Sequence, residues 1–339
     1  MGAGASDLAG MEPGKVARAG LGELPELCAA EVLLYLDAPD ICRLARLNRA
    51  FRGAAAADFV WETKLPENYG YLMRFVDGAE EGERGGKSSG MGKKDIYARL
   101  ARPVQFDDGK REFWLEKSKG RFCMALSSKA LVITGIDDRR YWVHTPTTES
   151  RVIEQLLSEL EAMLYSPCSA DCSFSCCFHK VITLLIFSAA EAKFPPWFHS
   201  IAYLQQIWWF EVVGEVDFCF PAGTYSLYFR LHLGKSSTRF GRRICSSEQI
   251  HGWDKKPAKF QFSTSDGQHG VSQCYLDEPG SWILYHVGDF VASNSEKPIK
   301  LKFSLAQIDC THTKGGLCVD SVLIYPKGFE PERVIRAQK

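Results

Sequence analysis

Some residues of this chain are of types that catalyse reactions, but their spacing forms no catalytic motif. The histidines of the C-terminal half are scattered, and neither a His-Glu-x-x-His motif nor a dinucleotide-binding glycine pattern after a strand is present. Residues 86–90, GKSSG, resemble a phosphate-binding loop, yet Glu81 stands where a Walker motif needs its first glycine. We therefore predict that the chain is not an enzyme and holds no cofactor.

A cluster of cysteines has the residue types of a zinc site but not its spacing. Four of the twelve cysteines lie close to His179: Cys168, Cys172, Cys176 and Cys177. They form no paired Cys-x-x-Cys knuckles, and no second half of such a site follows. We predict that no metal is bound. Most of the other cysteines lie in strand-like runs and no secretory signal is recognisable, so we expect reduced thiols.

Three aromatic residues are candidates for contact with a substrate or a glycan. A sugar ring stacks on a flat aromatic side chain, while nearby amides and carboxylates bind its hydroxyl groups. Tyr141 and Trp142 lie together in the strand-like run YWVHT, and Trp253 lies in the turn-like run HGWDKK. A large aromatic residue of a β-sandwich more often belongs to the core. Both interpretations remain open for these three residues.

The charge of the chain gives no reason to expect a nucleic acid or a membrane as partner. Its 41 basic and 41 acidic residues balance, so the electrostatic footprint of a nucleic-acid-binding protein is missing. The longest apolar run, 181–190, is far shorter than the roughly 20 residues of a membrane-spanning helix. We therefore expect neither nucleic-acid binding nor a membrane span.

The elements that position these residues begin with a helical segment at 24–61. Pro25 fits the first turn of a helix, and apolar residues then recur at spacings of three and four. Asp37 can cap a second helix that runs to Phe51, and a third short helix carries Trp61. About forty residues of helix bury too little apolar surface to be very stable alone, so we expect a partner to complete the fold.

This segment resembles the F-box, the motif that joins substrate receptors to the Skp-family adaptor of cullin-RING ubiquitin ligases. The residues that carry the resemblance are Leu24-Pro25, Glu31-Val32-Leu33, Tyr35-Leu36-Asp37, Asp40-Ile41, Leu44, Leu47, Asn48, Phe51 and Trp61. The resemblance implies an F-box at 21–66 that binds the adaptor and, through it, the cullin and RING subunits. The residues expected to contact the adaptor are Leu24, Pro25, Leu33, Leu36, Ile41, Leu44, Leu47 and Trp61.

From Gly120 onward the sequence is typical of β-strands separated by turns. Between 218 and 231, large apolar residues alternate with small or polar ones, as a strand with one buried face requires. Many strands and almost no long amphipathic helices predict an all-β, jelly-roll-like sandwich after a three-helix F-box, and thus a multidomain α + β protein. The remaining parts are a disordered N-terminus at 1–20, a linker at 67–111 with a short helix at 95–102, and a tail at 329–339.

The strand region resembles the phloem protein 2 domain that is shared with plant Nictaba-type lectins. The resemblance covers 112–328 and is carried by FWLEKSKGRFCMALSSKALVIT, Tyr141-Trp142, IWWFEVVGEV, TYSLYFRLHLG, SWILYHVGDF and GGLCVDSVLIYPKG. An F-box followed by this domain resembles the plant F-box proteins of the phloem protein 2-A type. This implies a non-catalytic substrate receptor of a Skp-cullin-F-box ubiquitin ligase, in the nucleus and cytoplasm, whose sandwich recognises a protein or glycoprotein.

The alternative function is that of a lectin that binds N-acetylglucosamine-type carbohydrate in defence or stress responses. Lectins that resemble this domain have tryptophans in two early strands. This sequence has Trp142 in one of them, whereas Gly135 stands where the other tryptophan would be. We therefore favour a protein substrate over a glycan.

One segment, 152–197, falls outside the resemblance and interrupts the sandwich domain. Members of the family continue from the Ser-Arg after the Tyr-Trp strand almost directly into FHSIAYL, which begins here at Phe198. The segment is either a genuine loop of this protein or a retained intron translated in frame. The sequence leaves both interpretations open.

Overall fold

The helices precede the strands, as the sequence predicts. The structure is a computed structural model that describes residues 24–78, 90–146, 200–239, 242–246, 249–329 and 334–336. Its helices are α1 (Glu26–Leu34), α2 (Ala38–Leu44), α3 (Arg49–Ala54), α4 (Asp58–Glu62), α5 (Tyr69–Asp77) and α6 (Lys93–Leu100). α1 begins directly after Pro25, and α2 has a proline in its first turn after Asp37. Both starts agree with the sequence-based prediction.

The predicted second helix is divided into two. Asn48 has an extended backbone, with φ −154°, and its side-chain oxygen accepts a hydrogen bond of 2.9 Å from the Phe51 amide. Asparagine favours such a cap over the interior of a helix, because its side chain competes with the backbone for hydrogen bonds. α2 therefore ends at Leu44 and α3 begins at Arg49. The F-box region has four short helices where three were predicted.

The strands form two facing sheets. They are β1 (Val104–Phe106), β2 (Arg111–Leu115), β3 (Phe122–Ser127), β4 (Val132–Ile133), β5 (Trp142–Pro146), β6 (Ser200–Leu204), β7 (Phe210–Phe218), β8 (Gly223–Leu233), β9 (Lys235–Arg239), β10 (Arg242–Ser246), β11 (Ala258–Thr264), β12 (His269–Cys274), β13 (Trp282–Ala292), β14 (Ile299–Gln307), β15 (Leu317–Pro326) and β16 (Val334–Arg336). The larger sheet has the order β1-β2-β3-β15-β8-β13-β16, and the pair β5-β6 joins it at β15. The smaller sheet has the order β12-β11-β14-β7-β4, and β9 pairs with β10. The predicted fold class, a sandwich after an N-terminal helical region, is confirmed.

The interior of the sandwich is filled by alternate residues of the facing strands. β7 buries Phe210, Val212, Val216 and Phe218, and the side chains between them point outward. β14 follows the same alternation. β15 is buried at every position and pairs with β8 on one edge and with β3 and β6 on the other. Its side chains pack on both faces of the sheet, in the main core on one and in smaller clusters on the other. Strand parity therefore determines which side chains of the smaller sheet remain accessible.

The region predicted as a linker, 67–111, contains regular structure. α5 lies within it, α6 overlaps the predicted short helix at 95–102, and β1 follows. Leu72 and Met73 of α5 are buried against the sandwich core. The part of the linker at 79–89 lies outside the described residues.

An aromatic cluster joins the helices to one end of the sandwich. The Phe75 ring of α5 lies 5.1 Å from Phe106, 5.6 Å from Phe113 and 5.6 Å from Phe218, measured between ring centroids. The first two rings belong to the larger sheet and the third to the smaller one. Tyr71 of the same helix lies 5.3 Å from Phe218. Aromatic pairs at these distances are stabilising, so α5 closes this end of the sandwich.

A buried asparagine strengthens the same junction. The side-chain amide of Asn68 donates hydrogen bonds to the carbonyl oxygens of Cys219, at 2.8 Å, and Ser295, at 3.2 Å. These carbonyls follow β7 and β13 respectively, so one side chain ties the start of α5 to two loops. A buried polar group without such partners would be destabilising. We refer to this end of the sandwich as the Phe218 end.

One carboxyl of the larger sheet is buried without a charged partner. Glu112 lies on the side of β2 opposite to Phe113 and is 2% exposed. Its Oε1 atom has no hydrogen-bond partner in the part of the chain that the structure describes. Burial raises the pKa of Glu112 to about 8; a hydrogen bond with Gln105 acts against this shift, and the charge of Asp320 adds to it.

We expect Glu112→Gln to flatten the pH dependence of stability. The folded chain holds the Glu112 proton up to a pKa of about 8, whereas the ordinary pKa of the group is 4.5. The stability that this proton contributes is therefore complete below about pH 4.5 and is lost as the pH rises through 8. At pH 9 the variant should be more stable than the wild type by on the order of 1 to 3 kcal/mol, the cost of an unsatisfied buried group.

Urea unfolding at pH 5, 7 and 9 measures this difference. Glu215→Gln is the matched control, because Glu215 lies on the exposed face of β7. Equal loss of unfolding free energy in the wild type and in Glu112→Gln between pH 5 and 9 would contradict the prediction.

Candidate functional site

The first candidate surface consists of apolar side chains that the F-box helices leave exposed. α1 buries Ala29, Ala30 and Leu33, yet it also carries apolar residues on its other sides. Leu27 is 76% exposed, and Tyr35, directly after the helix, is 88% exposed. A helix that is apolar on more than one side is typical of a helix that becomes buried in an assembly. We call this surface the helical face; it comprises Leu27, Val32, Tyr35, Leu47 and Phe59.

Three of the residues predicted to contact the adaptor lie in the interior. Leu33, Ile41 and Trp61 are buried, and the Trp61 indole N–H donates a hydrogen bond of 2.8 Å to the Ala55 carbonyl oxygen. These side chains hold the F-box helices together. In this conformation they offer no surface to a partner, contrary to the prediction.

The other residues predicted to contact the adaptor are accessible. Leu24, Leu36 and Leu44 are half-buried against the core, and Pro25 and Leu47 are exposed. Their contact with the adaptor remains a prediction.

Basic side chains accompany the helical face. Arg43, Arg46, Arg49 and Arg52 are all exposed, and Arg43 pairs with Asp40 at 2.6 Å. The segment therefore presents positive charge together with apolar area. Such an arrangement favours a partner with acidic groups at the rim of its own apolar patch.

The second candidate surface lies at the opposite end of β7, where loops of both sheets meet. The loops are 134–141, 205–209, 249–257 and 308–316. Trp208 is 53%, Trp209 45% and Ile308 47% exposed. Phe210 and Gln307 form the last register pair of β7 and β14, so Trp209 and Ile308 are neighbours just beyond it. We call the surface formed by Trp208, Trp209 and Ile308 the tryptophan end.

A buried lysine fixes the backbone beneath the tryptophan end. Lys314 is fully buried, and its Nζ donates hydrogen bonds to the carbonyl oxygens of Trp208, at 2.5 Å, and Asp309, at 2.9 Å. Burial lowers the pKa of Lys314, and the negative charge of Asp309, 3.6 Å away, opposes that shift. An ammonium group without these acceptors would be costly to bury. The Lys314 ammonium therefore fixes the loop at 205–209 and the loop at 308–316 relative to each other.

Asp309 connects two of the loops at the rim. Its carboxylate lies 2.7 Å from Lys256 Nζ and accepts a hydrogen bond of 2.9 Å from the Thr311 hydroxyl. Lys256 is the main cause that lowers the pKa of Asp309 to about 2. The carboxylate is therefore ionised throughout the physiological pH range.

Glycines allow these loops to pack backbone against backbone. Gly252 has φ +85°, and a Cβ there would lie 2.3 Å from the Thr313 carbonyl oxygen. A Cβ at Gly315 would lie 2.2 Å from the Gln205 carbonyl oxygen. No side chain fits at either position. The tryptophans are thus carried by loops with little freedom to move apart.

Two of the residues predicted to contact a substrate or glycan lie inside the sandwich. Trp142 and Trp253 are buried, and their indole N–H groups donate to the carbonyl oxygens of Thr134, at 2.9 Å, and Gly315, at 2.8 Å. The Phe210 ring lies between them, 6.3 Å from Trp142 and 5.0 Å from Trp253. Neither indole offers a free face to a sugar ring. Together the three rings support the tryptophan end from within.

The third predicted residue, Tyr141, is half-buried. The Arg140 guanidinium lies 5.5 Å from its ring centroid. The nearby Gly135 has φ +72°, and a Cβ there would lie 3.1 Å from the Tyr141 ring. A tryptophan in place of Gly135 would be strained. The turn at 135 therefore requires glycine.

Comparison with known proteins finds two families along the chain. A family model of the F-box domain matches residues 21–63, and one of phloem protein 2 matches residues 189–326. F-box protein PP2-A13 of Arabidopsis thaliana is 51% identical over 306 residues, which cover 90% of this chain and 88% of that protein. F-box protein PP2-A12 of the same plant is 46% identical over 318 residues, covering 94% and 91%. F-box protein PP2-A15 is 44% identical over 348 residues, covering 99% and 98%.

The chain belongs to the plant F-box proteins of the phloem protein 2-A type. The predicted family is thereby confirmed. In this F-box protein the helical face lies within the F-box match, and the tryptophan end lies within the phloem protein 2 match. The two domains indicate an F-box substrate receptor or a lectin-like role. The F-box implies, in general, binding of a Skp-family adaptor.

The sequence analysis of this F-box protein missed Trp208 and Trp209, although a signal for one of them was present. Phe210 is the first inward-facing residue of β7, so the residue before it has outward parity. Glu211 and Glu215 lie on the same side of β7 as that residue, and charged side chains indicate the side of a strand that faces solvent. Counting back from Glu211 would have placed Trp209 outside.

Several predicted features fall partly or wholly outside the described residues. They are the disordered N-terminus at 1–20, the segment 152–197 with the cysteines near His179, and most of the tail at 329–339. The phloem protein 2 match begins within the segment 152–197. Among the residues that are described, no group of His, Cys, Asp and Glu is arranged to hold a metal ion. Seven of the cysteines in the described ranges are free thiols: Cys28, Cys42, Cys123, Cys219, Cys274, Cys310 and Cys318. None of the helices described is long and apolar enough to cross a bilayer.

Proposed function

We propose that this F-box protein is the substrate-receptor subunit of a Skp-cullin-F-box ubiquitin ligase and acts in the nucleus and cytoplasm. The helical face binds the Skp-family adaptor, which connects the chain to the cullin and RING subunits. The chain positions a substrate lysine near the ubiquitin that the conjugating enzyme carries, and thereby raises its effective concentration. The observation that carries the proposal is the exposure of Leu27, Tyr35 and Leu47 in an F-box region whose own core is already filled.

The helical face has the composition of the centre of an interface. Protein interfaces concentrate affinity in a few apolar and aromatic anchors that become fully buried on binding. The helical face offers three such anchors, Leu27, Tyr35 and Leu47, because more than half of each side chain is exposed and can become buried on binding. The exposed arginines at 43, 46, 49 and 52 suit the rim, where charge complementarity governs the rate of association.

The two candidate surfaces are separated by the length of the sandwich. α5 packs on Phe218, the last residue of β7, whereas the tryptophan end precedes Phe210, its first residue. A strand of this length spans roughly 26 Å. An adaptor bound to the helical face therefore leaves the tryptophan end free for a substrate.

The tryptophan end is the proposed substrate site, and a protein segment is the proposed substrate. Tryptophan is enriched among the residues that dominate protein–protein affinity. Because Lys314 and Asp309 hold the loops beneath, little freedom is lost when a partner binds. Carbohydrate binding is the second candidate, and the two exposed indole rings beside the ionised Asp309 favour it.

We expect two double variants to weaken binding of the adaptor. Leu24→Ala/Pro25→Ala removes the residues at the start of α1, and Tyr35→Ala/Leu47→Ala removes two exposed anchors. Each should cost about 2 to 4 kcal/mol, which is a roughly 30- to 800-fold rise in Kd, because anchors of this kind carry most of an interface's affinity. Calorimetric titration of the full chain with the purified adaptor measures the change.

The control for this experiment is Val271→Ala. Val271 is 50% exposed on β12, away from the helices, so its removal should leave the Kd unchanged. Thermal melts establish that each variant is folded. If both double variants fold and retain the wild-type Kd, the helical face is not the adaptor site.

We expect Trp208→Ala/Trp209→Ala to abolish substrate ubiquitination without affecting the adaptor. About half of each side chain is exposed, so the variant should lose some stability but still fold, which a thermal melt verifies. The measurement is quantitative mass spectrometry of ubiquitinated peptides from plant cells that carry each variant in place of the native chain. The proteins that lose ubiquitin should be the same as in Tyr35→Ala/Leu47→Ala, while Val271→Ala should lose none.

Two outcomes decide against the protein-substrate proposal. One is an unchanged set of ubiquitinated proteins in the tryptophan variant. The other is micromolar binding of N-acetylglucosamine oligomers by the wild type that disappears in Trp208→Ala/Trp209→Ala, which would make carbohydrate binding the primary function.

A further inference from the structure

A cleft of about 570 Å³ lies between the F-box helices and the Phe218 end of the sandwich. Residues 63–66 after α4 form one wall. The other walls are the β2–β3 hairpin at 119–122, residues 221–225 around the start of β8 and residues 326–327 at the end of β15. Its volume falls in the range of about 300 to 1,000 Å³ that is usual for small-molecule sites.

The charged residues of this cleft are all basic. They are Lys64, Lys119, Arg121 and Lys327, and no Asp or Glu belongs to the lining. The chain as a whole has equal numbers of acidic and basic residues, so this is a local concentration of one sign. Like charges gathered from separate segments repel one another. An anion in the cleft would remove that repulsion.

The carboxylates nearest to the cleft are shared with other donors. Glu116, 3.6 Å from Arg121 Nε, already accepts hydrogen bonds from the hairpin amides. Asp289, 3.0 Å from Lys327 Nζ, already accepts one from a serine hydroxyl. Lys119 has no acidic partner within the described ranges. The positive charge of the cleft is thus only partly balanced by the protein itself.

The side chain of Arg121 lines the cleft and is partly exposed. Its guanidinium group lies 5.5 Å from the Phe329 ring centroid, which covers one face of the group. Its Nε is buried and lies 3.6 Å from a Glu116 carboxylate oxygen, so the N–H groups left for a ligand are those of the two terminal nitrogens. A planar guanidinium with free N–H groups binds phosphate oxygens in pairs.

The backbone brings the two walls together at a glycine. Gly120 has φ +66°, and a Cβ there would lie 2.5 Å from the Lys64 carbonyl oxygen. The hairpin and the segment after α4 therefore touch directly. Lys64 Nζ donates a hydrogen bond of 2.6 Å to the Leu34 carbonyl oxygen at the end of α1, which places its charge at the boundary between F-box and sandwich.

We propose that this cleft binds a phosphate-bearing anion with more than one negative charge. Arg121 binds two oxygens of one phosphoryl group through its N–H groups, and Lys119 and Lys327 supply charge at the mouth. Because its walls belong to both the F-box helices and the sandwich, the bound anion stabilises the junction between them. Either a free polyphosphate or a phosphorylated side chain of another protein supplies this chemistry.

The first test is calorimetric titration of the full chain with pyrophosphate. We expect a Kd on the order of 0.1 mM for the wild type and at least roughly tenfold weaker binding for Lys119→Gln/Lys327→Gln. Both lysines are exposed, so the variant should fold. Lys255→Gln/Lys302→Gln changes the net charge equally at exposed positions elsewhere and should keep the wild-type Kd. Arg121→Lys keeps the charge but should bind several-fold more weakly, since the paired contact is lost.

The second arm compares a phosphoserine peptide with its unphosphorylated form. Tighter binding of the phosphopeptide than of pyrophosphate identifies a phosphorylated protein as the source, and the reverse order identifies a free polyphosphate. The proposal is overturned if neither probe binds, or if the two lysine double variants weaken binding by the same factor.

Discussion

The packing of Phe75 against rings from both sheets is the contact on which the arrangement of this F-box protein depends. Phe106 and Phe113 come from the larger sheet and Phe218 from the smaller one, so the ring sits where the two sheets would otherwise be open to water. Asn68, at the start of the same helix, satisfies two loop carbonyls beside it. The F-box helices and the sandwich consequently share one continuous core.

This shared core fixes the separation between the proposed adaptor site and the proposed substrate site. A substrate receptor must hold its adaptor and its substrate at a defined separation, because the transfer of ubiquitin depends on proximity and orientation. In this chain the helical face lies on the F-box helices, at the Phe218 end, and the tryptophan end lies beyond Phe210. The strand between them, β7, is part of a paired sheet and cannot bend freely. The basic cleft lies at the junction itself, where a bound anion affects both parts.

Features that depend on local sequence were predictable. The start of α1 after Pro25 and the inward parity of Phe218 follow from neighbouring residues alone. The division of the second helix at Asn48 also depends on local sequence. Asparagine can either cap a helix or lie within one, and the pattern of apolar residues around Asn48 predicted a continuous helix, whereas it is the N-cap of α3.

Features that depend on tertiary packing were not predictable in the same way. The apolar side of α5 packs on the open end of the sandwich, a contact that the sequence does not reveal. This nine-residue helix, which directly precedes a charged stretch, was therefore interpreted as linker. Trp253 lies in a turn-like run, yet the loop at 308–316 covers it. Trp209 lies in an apolar run typical of a buried strand, yet it precedes the last residue pair and stays exposed. Burial of an aromatic side chain is decided by which loops meet above it.

Native-state hydrogen exchange in increasing urea tests most directly whether the helices and the sandwich are one unit. The account predicts that amides of α1 and of β7 open with the same free energy, and that Phe75→Ala lowers both by the same amount, about 2 to 4 kcal/mol. Opening of α1 at a lower free energy than β7, with Phe75→Ala affecting only α5 and its neighbours, would contradict the account.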